Sequence, residues 1–360
     1  MPESPFVSAI VPVRAVAAPL VVATLEALIA QDYPTDRLEV LVVGAEIERH
    51  ADVMEAWAGR DPRVRWLGTA QGAAAALNLA LQSARGDIIC RVDAGTAIAP
   101  VYIRVGVEAL ERTGADGVHG RSEPRGGGWF GDAVAAAMRS PLSRRARTSA
   151  IEDGGTDGPA RSIWRRAVFE RYGMFDEELQ RNEEDELRCR VGEGGGRLAF
   201  DAAMRSWYQN PQDVAYLVRE CYQSGQWMVR VLQKHRGQVS WRHLAPPAFV
   251  AGLIALQLVG PVAPAAGVLS RAVAGGYLIA LLIAAVKPSG RRGPAAVCAT
   301  ALAFACMHLA WGAGFLSGLI KHGDRWRKSA APPPRLQQPG ASGDRREPSA
   351  GADVPEAGGE

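Results

Sequence analysis

A short buried strand that stops at a single acid constrains the fold of this chain more than any other feature. The strand follows Gly86, runs through apolar residues and ends at Asp93, after which small, turn-forming residues begin. An acid at the carboxyl end of a strand in an α/β sheet lies where such sheets bind their ligands. Its carboxylate would suit a hard divalent cation that also holds a phosphate-bearing molecule. The alternative interpretation is that Asp93 caps the next turn or helix.

Alternating strands and helices surround this segment. Apolar runs predict the strands, and apolar residues at helical spacing predict the helices between them. The predicted strands cover residues 6–13, 38–43, 64–67 and 88–92, and the predicted helices cover 19–30, 71–84 and 101–112. Continuously apolar strands are typical of a sheet that is buried on both faces. The predicted fold class is therefore α/β, with a mostly parallel sheet and helices on both faces.

A later helix, predicted over residues 183–191, begins with a block of four acids. Before it, residues 143–160 are polar and rich in Gly and Arg, which is typical of a mobile loop over a site. Acids in the first turn of a helix can serve only to complement its dipole. Alternatively, one of these carboxylates faces the site as a general base, because crowding raises the pKa of at least one of them.

A third element lies on a strongly amphipathic helix predicted over residues 212–234. Its apolar face either rests on a membrane surface or packs against the core of the α/β domain. Gln223 and Trp227 lie on this helix. An exposed indole here would stack on a sugar or a base, or would anchor the helix at a membrane interface.

The distribution of charge separates the α/β domain from an apolar region. Residues 244–286 contain one charged side chain, Arg271, and residues 294–320 contain none. Three apolar segments, 245–269, 272–286 and 294–320, span or nearly span a bilayer by length, although prolines interrupt the first. The net charge of +3 is too small to indicate a nucleic-acid partner. We therefore expect a membrane partner and no nucleic acid.

The topology of this region is left open by the sequence. The first residues do not read as a signal peptide, so the α/β domain is expected in the cytoplasm. Three complete passes would then place the basic residues of 321–328 outside, against the positive-inside bias. A fourth pass, a half-spanning segment or a hairpin would remove this conflict.

These patterns divide the chain into four predicted parts. Residues 1–210 form the α/β domain, 211–243 an amphipathic interface helix, and 244–328 transmembrane helices. Residues 329–360 are rich in Pro, Gly, Ser and Ala without periodicity, which predicts a disordered tail.

The three elements, in this order and followed by a membrane region, resemble family 2 glycosyltransferases. The chain is most similar to the membrane-bound type exemplified by the succinoglycan biosynthesis glycosyltransferases. The resemblance runs from about residue 7 to residue 328. It rests on the Gln-Asp-Tyr-Pro stretch at 31–34, the strand that ends in Asp93, and the acidic block.

The resemblance implies a GT-A-like fold that binds a nucleotide-diphosphate sugar and transfers the sugar, with inversion, to a lipid-linked or polysaccharide acceptor. It implies a divalent metal, Mn or Mg, and an enzyme of the plasma membrane with several passes and a cytoplasmic catalytic domain. The implied site residues are Asp93 for the metal, Pro12, Val13 and Asp93 for the donor, Glu184 or Asp185 for the base, and Trp227 and Gln223 for the acceptor.

The chain departs from the family pattern at several of these positions. Gly44 and Ala45 stand where the family has the acid that contacts the nucleobase, and Glu46 or Glu48 would have to substitute for it. Gly95 stands in place of the second acid of the D-x-D motif. These departures motivate an alternative function, a catalytically weak relative that acts as a binding or scaffolding subunit of a polysaccharide-assembly complex.

Overall fold

The structure is a computed structural model that describes residues 4–14, 16–44, 47–68, 72–140, 162–326 and 332–337. The loop predicted over residues 143–160 lies outside the described residues, as does Glu46, and so does the side chain of Glu48. We call the described residues between 4 and 210 the head.

An eight-stranded sheet forms the centre of the head. Its strands are β1 (Val7–Pro12), β2 (Leu38–Val43), β3 (Val64–Leu67), β4 (Ile88–Arg91), β5 (Thr96–Ile98), β6 (Gly117–Arg125), β7 (Ser162–Arg165) and β8 (Leu198–Gln209). Their order in space is β3-β2-β1-β4-β7-β6-β8-β5. The first four strands of this order are parallel, as are β6 and β8, whereas β7 and β5 run antiparallel to their neighbours. The mostly parallel sheet predicted from the sequence is confirmed.

Helices cover both faces of this sheet. The head contains α1 (Ala18–Ile29), α2 (Ala51–Arg60), α3 (Ala73–Ser83), α4 (Tyr102–Thr113), α5 (Gly128–Met138), α6 (Arg166–Tyr172) and α7 (Glu183–Glu193). Successive side chains of a strand point to opposite faces. In β1, Val7, Ala9 and Val11 join a core with α1, α2 and α4, whereas Ile10 joins a second core with α3, α6 and α7. The sheet is therefore buried on both sides.

Two buried amides hold loops beside the sheet. Gln31 accepts a hydrogen bond from the backbone of Ile103 (3.1 Å) and donates one to the carbonyl of Ala99 (2.9 Å). Asn78 makes two bonds with the backbone of Phe175, accepting one and donating the other, both at 2.9 Å. Each amide satisfies backbone groups that the sheet leaves unpaired, so both loops are fixed from within the core.

Four further helices follow the head: α8 (Val214–Lys234), α9 (Trp241–Val259), α10 (Pro264–Ser289) and α11 (Pro294–Lys321). The last three are long and apolar enough to cross a membrane, by length and composition. The apolar segments predicted over 245–269 and 272–286 have a different boundary in the structure, because the chain turns between Val259 and Pro264. Proline is well tolerated in the first turn of a helix, so Pro264 begins α10 instead of interrupting a longer helix.

The amphipathic helix α8 packs against protein. Its buried residues include Leu217, Trp227 and Val229, which contact the head or α11. Of the two interpretations of this helix, packing on the core of the protein is the one that the structure shows. Trp227 is 7% exposed, so the expectation of an exposed indole is wrong: its ring lies 5.3 Å from that of His322.

Part of the predicted disordered tail also packs on the head. Residues 332–337 are extended, and the backbone of Leu336 donates to the carbonyl of Phe169 (3.1 Å). Leu336 is 6% exposed and joins the core beneath α6 and α7. For these six residues the prediction of disorder is wrong, because one apolar side chain and a few backbone hydrogen bonds hold them in place.

Candidate active site

The site is built at the carboxyl ends of β1 and β4, where the chain turns away from the sheet. Asp93 begins a tight turn in which its carbonyl accepts a bond from the backbone of Thr96 (3.0 Å). Gly95 has a φ of 86°, a conformation that glycine adopts readily, and its N–H donates to the Thr24 hydroxyl (3.0 Å). Pro12 lies beside this turn and accepts from the backbone of Ala94 (3.5 Å).

A buried arginine lies at the centre of three carboxylates. Arg91 Nε donates to Asp93 Oδ1 (2.7 Å) and Arg91 Nη2 donates to Glu183 Oε1 (2.9 Å). Arg91 Nη1 lies 3.6 Å from Glu184 Oε2. We call these four residues the acid cluster. Burial by itself would lower the pKa of Arg91, but the three carboxylates outweigh it and hold the guanidinium charged, with its pKa above the ordinary value.

Glu184 is the member of the acid cluster with the least complete hydrogen bonding. Its Oε1 accepts from Trp164 Nε1 (3.0 Å) and lies 4.0 Å from Arg188 Nε. Its Oε2 is buried and accepts no hydrogen bond from a described residue. Burial raises the pKa of Glu184, although Arg91, Arg188 and Trp164 oppose the shift. A carboxylate with a raised pKa and a vacant acceptor position has the properties of a general base.

The other predicted base and the acceptor residues lie outside the acid cluster. Asp185 is partly exposed and forms none of the described ion pairs of the acid cluster. Gln223 accepts from Arg181 Nη2 (3.0 Å), which also pairs with Glu220. The neighbouring Ser224 bonds Asn182, the residue before α7, through both its carbonyl and its hydroxyl. The helix that carries Gln223 and Trp227 is thus joined to the start of the acidic helix, and the roles of these two residues stay predictions.

The predicted donor residues form the wall beside the acid cluster. Pro12 and Val13 are buried at the end of β1, and the backbone of Val13 donates to the carbonyl of Val43 (2.8 Å). A Cβ on Gly44 would overlap the carbonyl oxygen of Val13. Residue 44, one of the two positions where the family pattern places its nucleobase acid, is therefore closed to any side chain.

Sequence reasoning missed the cations of this site. Arg91 is the last residue of β4, and it reaches Asp93, two residues later, by the hydrogen bond from its Nε. Its position as the one charged residue of a buried strand was a signal that could have revealed it. Arg14 follows β1 and donates to the carbonyl of Gln180 (2.6 Å), and Arg188 lies one helical turn after Glu184. Arginine side chains are suited to hydrogen-bonding a diphosphate, although at this edge the three carboxylates of the acid cluster balance the three cations.

The described residues do not fit a metal site by themselves. Among the residues that the structure describes, no group of three or more His, Cys, Asp or Glu side chains converges in a way that could hold a metal ion. The cation between Asp93 and Glu183 is instead the guanidinium of Arg91. Gly95 brings no ligand, although a side chain there would meet only Leu20, at 3.9 Å.

Comparisons with known proteins agree with this arrangement. Residues 8–173 match the family model described as Glycosyl transferase family 2. Over 298 residues, covering 80% of this chain and 87% of the relative, the chain is 28% identical to the succinoglycan biosynthesis protein ExoA of Rhizobium meliloti (strain 1021). It is 26% identical, over 59% of this chain and 52% of the relative, to the probable glycosyltransferase YdaM of Bacillus subtilis (strain 168).

A solved structure has the same fold. It is the mannosyltransferase PcManGT from Pyrobaculum calidifontis, in complex with GDP-Man and Mn²⁺, with a TM-score of 0.60 and 22% identity over 89% of this chain and 88% of that one. The head is thus a GT-A-like glycosyltransferase domain. Residues 8–173 thus match the family 2 glycosyltransferases, and this match together with the ExoA relative supports an enzyme of that class.

Proposed function

We propose that the protein is a membrane-anchored, inverting glycosyltransferase. It moves a sugar from a nucleotide-diphosphate donor to a lipid-linked or polysaccharide acceptor at the cytoplasmic face of the plasma membrane. The family 2 domain and the ExoA relative support the reaction class and a polysaccharide product. The three apolar helices support an attachment to the membrane.

The observation that carries the proposal is the position of Glu184. Its carboxylate lies beside Arg91 at the carboxyl edge of the parallel strands, and its Oε2 has no described hydrogen-bond donor. In an inverting transfer, Glu184 takes the proton of the acceptor hydroxyl while that oxygen attacks the anomeric carbon. The bond from this carbon to the diphosphate breaks, and the nucleoside diphosphate leaves with the electron pair. Asp185 is the alternative base.

Arginines supply positive charge on the leaving-group side. Arg14 and Arg91 both lie at the edge where Pro12, Val13 and Asp93 are proposed to bind the donor. A divalent ion, Mn²⁺ or Mg²⁺, stays a prediction from the family. Asp93 is the residue that would hold such an ion, and the ion would stabilise the charge of the leaving diphosphate.

A second candidate function is a binding or scaffolding subunit with little catalysis. The closed position at Gly44 and the missing second acid at Gly95 favour it, since both concern the donor. Calorimetry of the full chain with UDP-, GDP- and dTDP-sugars, with and without Mn²⁺, separates the two candidates. Saturable binding of one donor supports the enzyme, and silence across the whole panel supports the scaffold.

The test of the site is Asp93→Asn in membranes that contain the full chain. We expect loss of donor hydrolysis and of sugar transfer. The matched control is Asp87→Asn, which changes an exposed carboxyl at the other end of the same strand and should leave activity unchanged. Full activity of Asp93→Asn would contradict the role of this residue.

A further inference from the structure

The two ends of the apolar helical region lie on the same side, against the head. At its start, α9 follows α8, whose last turn leads to His235; this side chain bonds Glu186 (3.1 Å) and Glu193 (2.7 Å) of the head. At its end, α11 leads to His322, whose carbonyl accepts from Gln233 of α8 (2.9 Å). Three complete crossings would place these ends on opposite sides of a bilayer. The structure therefore requires an even number of crossings between residues 240 and 322.

Helix α11 is the one that stays with the head. Its glycines allow close contact with α8: a Cβ on Gly314 would overlap the carbonyl of Tyr222, and one on Gly318 would meet the carbonyl of Gln226 at 2.5 Å. Gly225 of α8 makes the reciprocal contact with Trp311. Such contacts bring two backbones together along a shared line, as small residues do between apolar helices.

The other end of α11 is also covered by the head. Ala301 and Phe304 pack with Phe130 and Val134 of α5. Because α8 is tied to the head at both halves, by Glu220 pairing with Arg181 and by Arg230 pairing with Glu178, α11 runs along the head. In its most apolar window 33% of the residues are buried, against 17% in α9 and in α10.

Helices α9 and α10 form a hairpin whose exterior is apolar apart from Arg271, about two turns into α10, and the charged residues at the head's end. The ring of Phe249 of α9 packs at a tilt against that of Tyr277 of α10, with centroids 4.6 Å apart. Near the turn, Leu258 is 75% exposed and Val262 is 84% exposed, and the residues between Val259 and Pro264 carry no charge. At 1.5 Å per residue, 19 and 26 residues extend about 28 and 39 Å, so α9 nearly matches a hydrocarbon core of about 30 Å and α10 exceeds it; both lengths meet the range of about 17 residues or more for a crossing helix.

The basic residues of this region lie at the head's end of the hairpin. Lys287 lies in the last turn of α10, Arg291 and Arg292 follow it, and Arg292 approaches Asp132 of α5 (3.5 Å). Lys321 ends α11, and Arg325 follows it and pairs with Glu178 of the head. A hairpin that enters and leaves on this side satisfies the positive-inside bias at both clusters, which three crossings do not.

We propose that the hairpin α9–α10 crosses the lipid bilayer twice and is the membrane anchor of the protein. Helix α11 does not cross. It lies between the anchor and the head, and residues 322–326 and 332–337 are on the same side of the membrane as the head. This proposal concerns the lipid-facing surface alone and is independent of the sugar that the enzyme transfers.

Labelling of single cysteines with a membrane-impermeant thiol reagent tests the proposal. The parent is the full chain in which the three cysteines that are not fully buried, Cys221, Cys298 and Cys306, are replaced by Ala; it must remain unlabelled. Exposed positions then receive one cysteine each: Glu55→Cys in the head, Val262→Cys at the turn, and Asp324→Cys after α11.

We expect the cysteines of Asp324→Cys and Glu55→Cys to become labelled under the same condition, either both in intact cells or both only after lysis. The cysteine of Val262→Cys should become labelled under the other condition, because it lies on the opposite side of the membrane. Labelling of Asp324→Cys together with Val262→Cys, and apart from Glu55→Cys, would overturn the proposal. Labelling of Val262→Cys from the side of the head, or by a membrane-permeant reagent alone, would also overturn it, because the turn would then not reach the far side. All three positions are exposed, so each variant is expected to fold, and equal melting temperatures verify this.

Discussion

Two glutamates on helix α7 have opposite environments although they are two residues apart. Glu184 keeps one oxygen without a described donor, and burial raises its pKa. Glu186 is almost fully buried, yet Arg190 and His235 hydrogen-bond its carboxylate, and its pKa is lowered despite the burial. Burial thus raises the pKa only where hydrogen bonds to the ionised form are too few to compensate.

The difference separates the proposed site of chemistry from a network that holds the fold. In the acid cluster, Oε2 of Glu184 has no described hydrogen-bond donor and is the proposed acceptor of the substrate's proton. The second network joins α7 to the end of α8 through Glu186, Arg190, His235 and Glu193, and it fills the carboxylate of Glu186 completely. Replacing each glutamate by glutamine should therefore affect different properties: activity for Glu184 and stability for Glu186.

The largest effect is expected for Glu184→Gln. An amide cannot take the proton of an acceptor hydroxyl, so the transfer rate should fall about 10²–10⁴-fold, the range for loss of a general base. The melting temperature should stay the same or rise, because a buried carboxylate with incomplete hydrogen bonding disappears. Transfer assays in membranes and thermal unfolding in detergent measure the two quantities. A Glu184→Gln enzyme with unchanged turnover would remove Glu184 from the mechanism and leave Asp185 as the candidate base.

The second effect is loss of stability in Glu186→Gln. Removing one partner of a buried ion pair leaves Arg190 insufficiently compensated, which costs about 3–5 kcal/mol. Glu108→Gln is the matched control, since Glu108 pairs with Arg104 at the same helical spacing on the surface and should cost at most about 1 kcal/mol. Denaturant unfolding of the full chain in detergent measures both. Equal costs for the two variants would show that the buried network is not a stabilising element.

The smallest effect is a dependence of stability on pH through His235. Burial by itself would lower its pKa, but hydrogen bonds to Glu186 and Glu193 outweigh burial and raise the pKa above the ordinary 6.5. The protonated ring therefore stabilises the fold fully below pH 6.5, and this contribution is lost as the pH rises through the raised value. His235→Asn should flatten the decline of the free energy of unfolding above pH 6.5. If the free energy of unfolding declined with the same slope above pH 6.5 in wild type and variant, the decline would belong to other titratable groups.

The sequence predicted the parallel half of the head well. The bounds of β2 and β3 agree with the prediction, and the helices α1, α3 and α4 agree within two residues. Continuous apolar runs and helical spacing are local signals, and these elements satisfy both. Four elements were absent from the prediction: α2, between β2 and β3, and the strands β5, β6 and β8 of the second half. Their sequences mix polar and apolar residues without a clear period.

The candidate site could be predicted only in part for a similar reason. Asp93 and the acidic block were visible as local patterns, yet their common partner Arg91 was not. Arg91 and Glu183 are 92 positions apart in the chain, and no local pattern couples such residues. Trp227 was misjudged because a helix with an apolar face gives no indication of what covers that face.

The sequence by itself determined that this chain folds into an α/β head with an acid at the edge of its sheet, followed by three apolar helices. Both conclusions depend on hydrophobic burial along short stretches, which near neighbours decide. Only the tertiary structure decided that Arg91 lies among three carboxylates, that Glu184 and Glu186 differ, and that α11 packs along the head. These depend on packing and electrostatic contacts between residues far apart in the chain, whose strength falls off within a few ångströms.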